Sequence, residues 1–267
     1  MSFYTSLSGL KNAQTDLNVI SHNLANAETM GFKKSRAEFA DIVAGSAFTN
    51  PKMIQGIGAT VETITQNFAI GPIEQTGSAL DLAISGDGFF TTKSADTGQV
   101  LFTRNGSFTI DENGMIQDGS GNILQMFAPG ADPLVDAPVD AVVPATNGTA
   151  PFAGLTVDKD GSILASYADG SNVTIGTVAL ASFISPSGLK QVGSSNWQAT
   201  GLSGTPGYGT PGDGSYGSLL SGAIERSNVD IAEELVSLIT AQRYFQANAK
   251  AIDTATQISQ AVINLRT

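Results

Sequence analysis

The sequence predicts an α+β protein: N- and C-terminal helices pair as a coiled coil, with a central all-β domain and extended linkers between them. Three observations carry that prediction. Apolar residues recur at alternating spacings of four and three at both ends of the 267-residue chain. Between them the period falls to two, broken by Asn-Gly and Asp-Gly turns. The charge follows the same division. Residues 1–69 and 226–267 are each neutral, so the formal net charge of -11 lies entirely in 70–225. Neutral ends that pack and an acidic, solvated centre are the simplest physical reading. The expected domains are an N-terminal helix over 1–27, a linker over 28–70 and a β-rich domain over 71–200. An extended connector over 201–227 and a C-terminal helix over 228–267 follow.

The first helix places Phe3, Leu7, Leu10, Leu17 and Leu24 on one heptad stripe. Gln14 and Ser21 interrupt the stripe, and Ile20 covers the gap. Ser2 can cap the start. Gly9 costs about 1 kcal/mol relative to Ala. The helix then meets "SHNLANAETMGFKKSRAEF", the densest positive charge in the chain. Asn23, Asn26 and Gly31 suit a change of direction, because Asn and Gly tolerate left-handed backbone. Phe32 and Phe39 are apolar anchors around Lys33, Lys34 and Arg36. These bases are expected to pair with acidic surface on a neighbouring copy.

In the middle, "LDLAISGDGFFTT", "LFTRNGSFTIDENGMIQDGSGNIL" and "LTVDKDGSILASYADGSNVTIGTVALASF" alternate between turn residues. That spacing predicts hairpins in a sandwich or barrel. Gly/Pro-rich 201–217 reads as an extended return to the second helix. There, Asp230 and Glu233 resemble a capping box with Asp in place of Ser or Thr. Ile231, Leu235, Leu238, Phe245 and Ile252 follow at spacings compatible with one face. Ile258, Val262 and Leu265 continue that face after a small shift of register. With no Pro or Gly from Ile231 onward, this helix can reach roughly 50 Å. Neither terminal stripe has a sequence neighbour to cover it. The stripes must pair with each other, with other copies, or both.

No enzyme constellation emerges. His22 is the single histidine, set on a predicted helix, and reads as a surface or interface residue. The chain has no Cys, so thiolate metal sites and disulfides are excluded. "DENG" and "DKDG" lack the spacing of a calcium loop and read as hairpin turns. Gly86-Asp87-Gly88 is not followed by a phosphate-loop pattern. No carboxylate pair stands out for glycoside hydrolysis. The basic patch lacks the aromatic interleaving of a nucleic-acid surface. No stretch approaches a membrane span, and no basic n-region with an apolar run opens the chain. The expectation is a non-enzymatic protein without cofactor or metal, binding neither nucleic acid nor the membrane interior.

Three blocks carry a family resemblance. "SGLKNAQTDLNVISHNLANAETMGFKKSRAEFADI", "GSALDLAISGDGFF" and "GSLLSGAIERSNVDIAEELVSLITAQRYFQANAKAIDTATQISQAVINLR" resemble, in order, the signatures of the bacterial flagellar rod and hook family. Within it, "GIGATVETITQNFAIGPIEQTGSALDLAI" looks hook-like, while the chain length is nearer that of the rod proteins. The resemblance implies a structural subunit that self-assembles through its terminal helices into a helical tube. The main expectation is a short-form hook, the flexible joint that transmits torque. The alternative is a distal-rod or proximal-rod protein of the basal body. It also implies neighbouring axial proteins as partners: rod, hook cap and hook–filament junction. Export would run through the flagellar type III apparatus without a cleaved signal, placing the protein in the extracellular hook or the basal body.

Overall fold

The computed structural model describes residues 2–44, 55–133, 135–148 and 150–264. The chain folds as two compact units. One comprises Met1–Ala27, Lys34–Asn67 and Val229–Thr267, and the other Glu28–Lys33 with Phe68–Asn228.

The first unit holds helix α1 (Ser2–Ala25), strands β1 (Ser35–Ala44) and β2 (Gln55–Gln66), and helix α2 (Ile231–Asn264). The two helices pack on one another. Gly9 sits against the side chain of Asn248, and Asn23 reaches Glu234, so the helices run antiparallel. Their buried residues include Ala13, Val19, Ile20 and Asn23 on α1, and Glu234 and Ala241 on α2. Small side chains at Gly9, Ala13 and Ala241 let the helix backbones approach closely. Asp230 caps α2 as expected, its carboxylate accepting from the N–H groups of Ala232 (2.8 Å) and Glu233 (3.2 Å).

The segment expected as a linker is folded. β1 and β2 form an antiparallel hairpin in register from Ser35↔Gln66 to Ala44↔Gln55. Two bulges, at Glu38/Phe39 and Ile42/Val43, twist the ribbon. Residues 45–54 of the expected linker lie outside the described residues. The physical reason for the hairpin is legible afterwards: Thr60, Val61, Thr63, Ile64 and Thr65 make a β-branched run on β2. The hairpin also packs on α1, where Ser8 Oγ accepts from the N–H of Ala59 (3.4 Å).

Among the described residues, the second unit is all-β apart from one 3₁₀ turn at Pro186–Gly188. Its strands begin with β3 (Ile73–Gln75), β4 (Leu82–Ser85), β5 (Phe89–Ser94), β6 (Val100–Thr103), β7 (Phe108–Ile110) and β8 (Ile116–Asp118). Then come β9 (Asn122–Phe127), β10 (Val139–Asp140), β11 (Thr146–Asn147), β12 (Ala150–Val157), β13 (Ser162–Tyr167) and β14 (Asn172–Val178). The last are β15 (Leu180–Ser182), β16 (Lys190–Gly193), β17 (Asn196–Gln198), β18 (Gly207–Gly209), β19 (Ser218–Ser221) and β20 (Ala223–Glu225). The main sheet runs β11-β12-β13-β14-β9-β5-β6-β17-β16. The stretch expected as an extended connector is paired strand: β18 joins β15, β19 joins β4, and β20 joins β3.

Period two sorts the core. Adjacent Phe89 and Phe90 point to opposite faces of β5 and enter different clusters. Phe90 packs with Leu82, Ile84, Phe108, Leu124 and Leu180. Phe89 packs with Phe102 and the fully buried Trp197, with Phe68 and Phe183 against them. Ring pairs such as Phe89–Trp197 (5.9 Å) and Phe90–Phe108 (5.4 Å) meet edge to face. "DENG" forms the β7–β8 turn and "DKDG" the β12–β13 turn, each closed by the glycine N–H on the Asp carbonyl.

Candidate functional site, the clamped chain crossings and the helix faces

Lys33 ends the segment that precedes β1, Glu225 ends β20, and Arg104 follows β6. All three meet inside the β unit. Lys33 Nζ lies 2.5 Å from Glu225 Oε1, and Arg104 Nη1 lies 3.1 Å from Glu225 Oε2. The Lys33 and Glu225 side chains are fully buried. Lys33 also donates to the Ala69 carbonyl (2.8 Å), and the Gly71 N–H donates to Glu225 Oε1 (2.9 Å). Arg104 donates to the Gly86 carbonyl (2.9 Å) and stacks over the Phe89 ring at 5.4 Å. Burial pulls the pKa of Lys33 below the usual lysine range, opposed by the charge and hydrogen bond of Glu225. Burial lowers Arg104 too, against the same carboxylate.

Further bonds bring the chain segments at this end of the unit together. Asn228 Nδ2 donates to the Ala69 carbonyl (3.0 Å), and the Gly31 N–H donates to the Glu225 carbonyl (2.9 Å). Arg226 pairs with Glu28 and, at 3.3 Å, with Glu74. Gly31 adopts φ +66, and a Cβ there would lie 2.5 Å from the Asn105 backbone nitrogen. Only glycine allows that approach.

The helical unit has its own clamp. Asn23 binds Ser35 at both ends of its amide: Nδ2 donates to the Ser35 carbonyl (2.8 Å), and Oδ1 accepts its N–H (2.9 Å). The same Nδ2 donates to Glu234 Oε2 at 3.3 Å. Lys34 Nζ bridges Glu234 (2.8 Å) and Glu233 (3.3 Å). Burial lowers Lys34, but its bonds and charge contacts to Glu234 and Glu233 outweigh that and hold it above the usual lysine value. Asp16 is raised by burial and then by Glu234. These groups line a cavity of about 550 Å³, with Val19, Arg36 and Phe39 on its wall.

Lys33 and Lys34 have acidic partners within their own chain, Glu225 for the first and Glu233 and Glu234 for the second. Buried and half-buried bases so placed hold the fold. Arg36 is exposed and belongs to no ion pair among the described residues. Phe32 is buried and Phe39 exposed. Asn26 donates to the carbonyl of His22, which is exposed on α1.

The heptad stripes are covered unevenly. On α1, Ile20 is buried, Leu7, Leu10, Leu17 and Leu24 are half-buried, and Phe3 is exposed. On α2, Leu238, Phe245 and Ile252 are half-buried, while Ile231, Leu235 (43%) and Ile258 (61%) are exposed. Val262 lies in α2, and Leu265 is outside the described residues. The intrachain seam thus uses small and polar residues beside the leucine stripe. Sequence reasoning missed Glu225, Arg104, Glu234 and Asp16. The available signal was a charge set directly after an apolar or polar strand run, as in "GAIERSN" and "LFTRNG".

Three family models match the chain. "Flagella basal body rod protein" matches residues 3–33, "Flagellar hook protein FlgE/F/G D1 domain" matches 83–165, and "Flagellar basal body rod FlgEFG protein C-terminal" matches 220–265. The flagellar basal-body rod protein FlgG of Bacillus subtilis (strain 168) is 36% identical, over 99% of this chain and 98% of its own length. FlgG of Buchnera aphidicola subsp. Baizongia pistaciae is 34% identical over 94% of each chain. The flagellar hook protein FlgE of Salmonella typhimurium is 28% identical over all of both chains, in an alignment of 411 residues.

Proposed function

The chain belongs to the flagellar basal-body rod and hook family of axial structural proteins, and on that premise we propose that it is a rod subunit of the basal body, one section of a rigid drive shaft. This reading replaces the hook as the first choice and takes up the distal-rod alternative. The observation that carries it is end-to-end correspondence: the Bacillus subtilis rod protein is 36% identical over 98% of its length. The hook relative needs 411 aligned positions to accommodate a 267-residue chain, so it carries a large insertion that this chain lacks.

The geometry supports the same choice. Here the described part of 28–70 is a clamped turn and a hairpin packed on α1. The reading includes assembly with other copies into a helical tube, contact with neighbouring axial proteins, and export through the flagellar type III apparatus. Exposed Ile231, Leu235, Val236, Ile239 and Ile258 on α2 give such a tube its apolar surface. The protein's role is mechanical, and its chemistry is that of packing and ion pairing.

Electron microscopy of basal bodies from cells lacking the gene tests the assignment. Truncated rods without hooks are expected. Complete rods that lack only the hook would overturn it.

A further inference from the structure

Strands β1 and β2 form a two-stranded sheet, and among the described residues no third strand joins it. The direction of its backbone groups follows from its closed end. The Asn67 N–H donates to the Lys34 carbonyl (2.8 Å), so residues 34 and 67 face each other as a bonded pair. Asn23 holds both the N–H and the carbonyl of Ser35, so Ser35 faces away from β2. Both bulges place their extra residue on β2, so β1 alternates without a break as far as Asp41. The N–H and carbonyl groups of Ala37, Phe39 and Asp41 therefore point outward, away from β2. Their register partners Ile64, Val61 and Ala59 point outward on the other strand. The Ala59 N–H accordingly donates outside the ladder, to Ser8 Oγ (3.4 Å).

Helix α1 crosses this ribbon from one edge to the other. Near its start Ser8 covers β2 at Ala59, and a Cβ on Gly58 would collide with the same hydroxyl. Near its end Asn23 covers β1 at Ser35. Each strand keeps a stretch of open edge: Phe39 and Asp41 on β1, Val61 and Ile64 on β2. Among the described residues, no hydrogen bond outside the ribbon engages these four. Phe39 is 42% exposed and Ile64 51%. From 55 to 66 the chain has no Pro and no base, the usual guards of an exposed edge. A two-stranded ribbon is marginal in water, and a further strand stabilises it.

We propose that the β1 edge of one copy adds to the β2 edge of the next, with Phe39 opposite Val61, so that successive ribbons form one antiparallel sheet. Copies repeating along an array point their ribbons the same way. β1 of one copy then runs antiparallel to β2 of the next, as it does to its own. Phe39 and Val61 both turn their backbone groups outward, so they meet as a bonded pair, an aromatic side chain beside a β-branched one. Two different edges meet, which makes the contact heterologous and able to propagate as a helical array. This inference rests on the axial-subunit reading and names a backbone contact between its copies.

The native chain contains no cysteine, which makes cross-linking clean. Within one chain residues 39 and 61 already face each other, so the two cysteines are placed on different chains. Cells express two copies distinguished by tag length, one with Phe39→Cys and one with Val61→Cys. Their basal bodies are oxidised and run on a non-reducing gel. Covalent pairs of one long and one short chain are expected, and no dimer from cells carrying either variant alone. Basal bodies that contain both chains without such pairs would overturn the contact and leave the axial reading standing. Absence of the native chain from basal bodies would overturn both. A second test removes the outward N–H. Phe39→Pro is tolerated at an edge, so its denaturation midpoint should match that of Phe39→Ala. Its incorporation into basal bodies is expected to fall about tenfold below that of Phe39→Ala. Equal incorporation of the two variants would contradict strand addition.

Discussion

Glu225 stands between two cations in the β unit and is fully buried, so its removal takes the paired carboxylate from both Lys33 and Arg104 and leaves Arg104 only the unbonded charge of Asp87. Breaking such a buried arrangement costs about 3–5 kcal/mol. Glu225→Gln is expected to lose stability in that range by urea denaturation. Lys33→Met is expected to lose clearly less, because Arg104 still neutralises the carboxylate. Equal losses would mean that the lysine, and not the carboxylate, organises the cluster. Asp16 makes a pH-dependent contribution of the opposite kind. Its folded pKa is raised above 3.8 by burial and by Glu234. A raised carboxylate gives stability that is full below the unfolded value and lost as pH rises through the folded one. Asp16→Asn should therefore be more stable than the native chain near neutral pH, with the difference vanishing on the acid side of 3.8. Denaturation midpoints across that range check it.

At the scale of elements, two glycines with the same sign of φ separate backbone strain from crowding. Gly31 (φ +66) faces the backbone of Arg104 and Asn105, whereas Gly77 (φ +79) faces open space. Gly77→Ala is expected to cost about 1–3 kcal/mol from φ alone. Gly31→Ala must add a backbone displacement and should cost visibly more. The helix pair gives a second contrast. Ala241 is 1% exposed in the α1–α2 seam, so Ala241→Leu overpacks it by about 1–3 kcal/mol. Leu235→Ala, on the exposed face, should barely change the stability of the isolated chain and yet impair its incorporation into basal bodies.

This contrast also explains what the sequence revealed. Periodicity marked both helices and the alternating strands, because long apolar side chains at fixed spacing are what a pattern search registers. It found the leucine stripes and missed the seam, since Gly9, Ala13, Asn23 and Ala241 carry little hydrophobic signal. The β1–β2 hairpin was hidden by the basic, Asn-rich entry at 23–36, although Val61 and Ile64 among threonines spelled a strand. Lys33 and Glu225 lie 192 residues apart, and no local pattern joins them. Asn23 was legible as a turn residue. Its two-point grip on Ser35 needs the fold.

At the scale of the whole molecule, the distribution of charge and apolar surface fits a subunit that associates through selected faces. The 70–225 region carries all of the net negative charge, which keeps most of its surface solvated and non-adhesive. Against that background, Leu235 and Ile258 on α2 are exposed apolar side chains, the surface that the proposed assembly would cover. Their burial, at about 25 cal/mol per Å² of apolar area, would supply most of the association energy, with exposed ion pairs adding about 0.2–1 kcal/mol each. Electron cryomicroscopy of intact basal bodies, with this chain fitted to the density of the axial structure, tests the account most directly. The account predicts the chain within the rod below the hook, its α2 apolar face covered by neighbouring copies. Density for the chain along the hook, or an α2 face left open to solvent, would contradict it.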